Sequence, residues 1–316
     1  MTEQRGKSMK RMIMPAVAAM TAVVWVLAGS RSGADQPRSC EPVNIGMVQT
    51  LFVDIPSPIV AVLAHPFGNL MKDQTGVDGK LVIEGDAFHV GKALHEDKLQ
   101  LGIFQGIEFA WAHQKFSDLE PLMIAISKHR TLHANLVTSQ TNNAANFAAF
   151  RGKDVAIPQR SKEHLRQFLK HGCQECGVNN PETFFNQVLR PTSTEDALDD
   201  VVSGTVQAAV VDTLDLETYK DIKPGCFRRL RIVQISEPFP TGVIAVHRGA
   251  LDSAILQKFR TGMSNAHNNL KARELMAMFQ LTAFEPVPAD YEQVLTNILR
   301  SYPPPESPAA KTASKR

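Results

Sequence analysis

Two stretches of the sequence follow one plan. Ala93–Trp111 (ALHEDKLQLGIFQGIEFAW) and Ala197–Tyr219 (ALDDVVSGTVQAAVVDTLDLETY) each read as helix, short apolar strand, polar loop and new helix. In an open α/β sheet a ligand sits beyond the carboxyl ends of the strands, where strand N–H groups and the next helix N-terminus face open space. Two such edges, far apart in the chain, predict two similar lobes facing one cleft. That geometry suits capture of a solute better than a single-site enzyme.

The N-terminus has the pattern of an export leader. Arg5, Lys7, Lys10 and Arg11 precede an apolar run from Ile13 to Ala28, and Ser32-Gly33-Ala34 supplies small residues before Asp35. This predicts a cleavable signal peptide, because the run falls short of the roughly 18 apolar residues that a spanning helix needs. Ser30 stands where a lipid anchor would require Cys. Residues 1–34 hold five Lys or Arg and one acidic residue, so the formal charge of +2 for the whole chain becomes −2 for the remainder. Nucleic acid is excluded as a natural partner, since its binding needs a clustered basic surface. The apolar content of 43% is ample for two lobes.

Cys40, Cys173, Cys176 and Cys226 allow three pairings, and their spacing does not choose among them. Gly177 follows Cys176 where covalent haem attachment needs His. His164 and His171, seven apart, share one helical face and could join Cys173 and Cys176, but no second C-x-x-C or paired His motif completes a tetrahedral metal set. The histidines at 89, 95, 113, 129 and 133 show no ligand spacing, so no metal and no cofactor is expected.

Apolar runs place strands at Val43–Val48, Lys80–Glu84, Leu99–Phe104, Leu122–Ile126, Leu132–Thr138, Asp154–Ile157, Val188–Pro191, Val206–Val211 and Leu230–Ile235. Helices are expected from Pro56 to Lys72 with a kink or a second start at Pro66, and over Phe88–Glu96, Glu163–His171, Ser253–Leu270, Ala272–Gln280 and Ala289–Leu299. Strands alternating with helices imply a mainly parallel sheet.

The order of several short segments resembles the phosphate/phosphonate-type solute-binding proteins of ABC importers. Phe150-Arg151-Gly152-Lys153-Asp154-Val155-Ala156 is similar to the segment that leads into their second lobe, and Val201–Asp212 (VVSGTVQAAVVD) resembles their G-x-x-D-A-A-x-V-D stretch. Ser236-Glu237-Pro238-Phe239-Pro240 resembles their return segment, and Phe104–Ala112 resembles the loop and helix start that carries a ligand tyrosine. The resemblance implies an α/β, two-lobe type II periplasmic binding fold with a hinge and an interlobe cleft. With the leader (1–34) and a Pro-, Ala-, Ser- and Lys-rich tail expected to be disordered (301–316), it divides the chain into the first part of lobe one (35–137), lobe two (138–240) and a return segment (241–300). The expected protein is a periplasmic monomer that captures a small oxyanion or phosphonate-like solute and hands it to an ABC permease. A sensor of the same fold is the alternative. An enzyme is disfavoured, because no cysteine sits at a predicted strand end and no nucleophile elbow, metalloprotease or phosphate-loop motif occurs.

The strand ends give the candidate ligand residues: Gln49, Thr50, Phe88, Gln105 and Phe109 on one wall, and Ser139, Arg160, Ser161, Lys162, Thr194 and Asp212 on the other. Of the family's Ser-Thr-Ser-Gly anion turn only Ser161 matches, and Phe88 and Phe109 align with its two tyrosines. Asp212 matches the family's acidic residue, which contacts the amino group of aminoalkylphosphonates. Residue chemistry also allows other roles. Ser161 reads equally as the N-cap of the following helix, Asp212 as the cap of the next, and the two phenylalanines as core.

Overall fold

The structure is a computed structural model that describes residues 42–52 and 57–305. The expected leader, Cys40 and residues 306–316 of the expected tail lie outside the described residues. Among the described residues no helix is long and apolar enough to cross a membrane.

The first lobe begins with β1 (Val43–Val48), α1 (Ser57–Thr75), β2 (Gly79–Glu84) and α2 (Ala87–His95). It continues through β3 (Leu101–Phe104), α3 (Gly106–Lys115) and β4 (Leu119–Ile126). The chain then crosses through β5 (Thr131–Leu132) into β6 (Ala134–Ser139), β7 (Asp154–Ala156), α4 (Glu163–Glu175), α5 (Pro181–Phe184) and β8 (Gln187–Leu189). The second lobe closes with α6 (Thr194–Ser203), β9 (Ala208–Asp212), α7 (Thr213–Ile222), α8 (Pro224–Phe227) and β10 (Leu230–Ile235). The return uses β11 (Phe239–Pro240), β12 (Gly242–His247), α9 (Ser253–Ser264), α10 (Leu270–Met278), β13 (Ala283–Glu285) and α11 (Tyr291–Ser301).

Two main sheets result, ordered β13-β4-β12-β3-β1-β2 and β10-β6-β9-β7-β8. The central strands are fully buried: Leu101–Phe104 and Ala208–Asp212 have no exposed position, as continuous apolar runs between two helical layers should. Apolar clusters lie on both faces of each sheet. Helix α11 shows how the pattern works locally, since Tyr291, Leu295 and Ile298 form one buried stripe at helical spacing.

The sheets are mixed rather than mainly parallel. Strand β12 arrives from the second lobe and so runs antiparallel between β3 and β4, while β6 is antiparallel to β9. The strand expected over Leu132–Thr138 is broken at His133. Its first piece pairs with β11 to form a two-stranded connection, and its second piece joins the other sheet. Helix α1 runs through Pro66. The crossing needs Gly106, because a Cβ there would lie 2.2 Å from Pro240 O and 2.3 Å from Thr241 O. Only glycine lets α3 start that close to the returning chain.

Candidate functional site

The two repeated stretches become α2–β3–α3 and α6–β9–α7, and they put Gln105 and Asp212 at equivalent places, each the residue between a strand and the next helix. The two behave differently. Asp212 caps its own helix, accepting from Leu214 N at 2.8 Å. Gln105 makes no side-chain cap to α3. Its Nε2 donates to Thr50 O at 3.0 Å, and its Oε1 accepts from Glu163 N at 2.8 Å. A side chain of the first lobe therefore satisfies one of the free N–H groups that open α4 in the second lobe.

Glu108, one turn along α3, is 2% exposed and receives the Thr50 hydroxyl at 2.7 and 2.6 Å. Burial raises its carboxyl to about 8, reinforced by the nearby Glu163 and opposed by the Thr50 bond and by Arg166. Arg166 holds Glu163 Oε2 through Nε at 2.9 Å and Nη2 at 2.7 Å, and donates to Ser161 O. These contacts form the polar contact layer between the lobes.

A pocket of about 340 Å³ lies beside this layer at the carboxyl ends of β7, β8 and β9. Its rim carries the N-termini of α4, α6 and α7, through Ser161 and Lys162, Ser193 and Thr194, and Asp212 and Asp215, with Gln280 from the first lobe facing them. Ser193 caps α6, accepting from Asp196 N at 3.0 Å. The charges inside are balanced by position. Burial alone would raise the Asp212 carboxyl, but His164, Lys162 and the Leu214 N–H together hold it below its ordinary value. Lys162 Nζ is 3.9 Å from Asp212 Oδ2. His164 Nε2 is 3.0 Å from the same oxygen but off the line of a hydrogen bond, and burial lowers its affinity for a proton. Asp215 is raised by burial and by Asp212 beside it, and Thr194 donates to it at 3.2 Å.

Of the eleven sequence candidates, the pocket gathers Arg160, Ser161, Lys162, Thr194 and Asp212. Arg160 sits there at a positive φ of 56°. Thr50 and Gln105 join the contact layer, and Gln49 is exposed at the end of β1. Three candidates lie elsewhere. Phe109 is 0% exposed, packed between Phe104, His113 and Tyr291, so it is core. Phe88 packs on the α2–α3 face with Lys115 Nζ 5.2 Å from its ring centre. Ser139 ends β6 at the edge remote from the cleft, because β6 runs antiparallel to β9 and it is Ala134 that pairs with Asp212. That error amounts to about 17 Å of strand. Nor does Ser161 cap α4. Lys162 holds the cap position without a side-chain bond, while the Ser161 hydroxyl donates to Pro158 O.

Sequence reasoning missed Glu108, His164 and Asp215. Glu108 had a signal, a lone acid inside the apolar helix start GIEFAW. His164 was weighed only as a metal ligand and Asp215 had no signal, because the burial of the first and the pocket position of the second arise from segments distant in sequence. Cys173, Cys176 and Cys226 are free thiols, and burial pushes the Cys173 thiol up to about 12, which leaves it unreactive.

A family model described as ABC transporter, phosphonate, periplasmic substrate-binding protein matches residues 56–291. Among solved structures, a binding protein component of an ABC phosphonate transporter from Pseudomonas aeruginosa is 17% identical. It covers 86% of this chain and 93% of its own, with a TM-score of 0.53. PhnD1 from Prochlorococcus marinus, in complex with methylphosphonate, is 12% identical, covers 82% and 97%, and has a TM-score of 0.57. A protein from Xanthomonas citri bound to ATP is 16% identical, covers 82% and 96%, and also scores 0.57. Comparison with curated protein sequences gives no match.

Proposed function

The chain belongs to the phosphonate-type periplasmic substrate-binding proteins of ABC transporters, and from that premise we propose that it is exported to the periplasm, captures an organophosphonate in the pocket at the α4, α6 and α7 N-termini, and delivers it to an ABC permease. The observation that carries the reading is the convergence of three helix N-termini with Lys162 on one 340 Å³ pocket. The helix-start N–H groups not taken by Gln105, Ser193 and Asp212 and the positive helix ends favour an anionic head there, and the Lys162 ammonium adds a charge-assisted bond. Asp212 and Asp215 on the same wall work against a compact, fully charged phosphate and leave room for an organic substituent. No bond is made or broken. Capture stabilises the arrangement in which the lobes meet, by the ligand's differential affinity for it.

Calorimetric titration with methylphosphonate, aminoethylphosphonate, phosphate, sulfonates and neutral solutes tests the assignment. Phosphonates should bind more tightly than phosphate, and Lys162→Ala should weaken them by about 1.5 to 3 kcal/mol, the range for a hydrogen bond to a charged group. Preference for a neutral or cationic solute, with binding unchanged in Lys162→Ala, would overturn it.

A further inference from the structure

At the pole of the first lobe opposite the cleft, four side chains from three separate segments meet. His95 and Asp97 lie at the end of α2 and the turn leading to the amino end of β3, Asp118 precedes β4, and His247 ends the antiparallel β12. The β12–β4 register sets His247 opposite Leu119, and Arg248 N bonds Asp118 O at 3.0 Å, so the sheet itself brings the last two together. Asp118 Oδ2 is 2.5 Å from His95 Nδ1 and 3.3 Å from His247 Nε2. The ligand atoms of the three residues all lie within 4.8 Å of one another.

The hydrogen bonding makes this more than a surface cluster. His247 Nδ1 is 2.7 Å from Asp97 Oδ1. A carboxylate only accepts, so Nδ1 donates to Asp97 and the ring is held with Nε2 toward Asp118. That is the carboxylate–histidine arrangement that orients a metal ligand and strengthens it. A carboxylate oxygen with two imidazole nitrogens at 2.5 and 3.3 Å must share a cation with them, a proton or a metal ion. Asp118 Oδ1 is also buried without a hydrogen-bond partner, which leaves the carboxylate short of the donors that a buried oxygen normally finds. Asp97 holds its place at a positive φ of 56°, a conformation that Asp tolerates better than most residues and that aims its carboxylate at the ring. The nearby cation Arg248 is engaged by Glu120, with Nε 2.5 Å from Oε1.

We propose that His95, Asp118 and His247, with Asp97 behind His247, form a divalent metal site that takes zinc or a similar borderline ion and ties the turn before β3 to the end of β12. Two imidazoles and one carboxylate suit such an ion, with water as the fourth ligand. Ligand atoms on a tetrahedral zinc stand about 3.3 Å apart, given bonds of about 2.0 Å, so side-chain adjustments of under about 1 Å complete the set. The site is independent of solute capture, because the cleft lies at the other end of the same strands.

The test uses the full chain after removal of metals with a chelator. Cobalt(II), added as a spectroscopic probe, should give one equivalent of tetrahedral visible absorption without the near-ultraviolet band of a thiolate ligand, and zinc should displace it. The absorption should vanish in the His95→Ala/His247→Ala double variant, and Asp97→Asn should weaken zinc by about 10- to 100-fold. Methylphosphonate titration should be unaltered in each. If the double variant does not fold, His95→Gln alone should lose at least tenfold in zinc affinity. No bound equivalent in the parent chain, a thiolate band, or absorption that persists in the His variants would overturn the proposal.

Discussion

Glu108 shows how a residue at the lobe contact is set by its surroundings rather than by its type. Its carboxyl, raised to about 8 by burial, stays protonated in the folded protein while an unfolded glutamate ionises near 4.3. Between those two values the folded state binds the extra proton, so stability falls as pH rises, by up to about 1.4 kcal/mol for each unit, and levels off above 8. Glu108→Gln keeps the shape and the Thr50 contact but has no proton to lose. Chemical denaturation from pH 5 to 9 should therefore show the parent losing stability relative to Glu108→Gln, with the difference flat above pH 8. A constant difference across the range would refute the buried neutral acid. The sequence carried this residue's place on a helix start but not its burial, which arises when Thr50 and α4 close over it. Phe109 illustrates the opposite limit: its place near a strand end and its match to a family tyrosine suggested a ligand residue, but its ring fills the core between Phe104 and Tyr291, as its type alone allowed.

At the scale of elements, helix starts carry most of the local logic of the pocket. Ser193 Oγ accepts from Asp196 N and donates to Asp196 Oδ2 at 2.8 Å, so one hydroxyl caps the helix and holds the acid of its first turn. Ser193→Ala should cost about 0.5 to 2 kcal/mol in urea denaturation, and it should weaken methylphosphonate less than Lys162→Ala does, because it frays one of three converging helices and removes no charge. An equal loss of affinity in both variants would show that Ser193 itself is a ligand. Strands and helices were legible because their periodicities are local: the stripe of α11 and the apolar runs of β3 and β9 need only neighbours in sequence. Strand direction was not local. Whether β6 presents Ala134 or Ser139 to the cleft depends on the side from which the chain enters the second sheet, and reading it the other way misplaced Ser139.

At the scale of the whole molecule, Gln105 is the link on which the meeting of the lobes turns. It reaches from the end of β3 to the first N–H of α4, so its amide occupies a donor that an anionic ligand would otherwise use. The same contact layer is backed by an aromatic series that also crosses between the lobes. Phe239 lies 5.4 Å from the His164 ring and 4.6 Å from the Tyr302 ring, and Tyr302 in turn lies 4.8 Å from His171. Among the described residues two segments, carrying the paired β5 and β11, connect the sheets, so these side-chain contacts bear on how far the closed arrangement is favoured before a ligand arrives. Of the two Gln105 bonds only the one from Glu163 N crosses between the lobes, and at about 0.5 to 1.5 kcal/mol its loss should shift the closed-to-open ratio by at least about twofold. Gln105→Ala should therefore raise the radius of gyration of the ligand-free protein in small-angle X-ray scattering. Saturating methylphosphonate should return the variant to the dimensions of the parent, because ligand bonds then supply the closure that Gln105 provided. Its apparent affinity should drop in proportion to the lost closed population. A ligand-free variant with the parent's dimensions and the parent's affinity would show that the aromatic series alone holds the lobes together and that Gln105 is a passive cap.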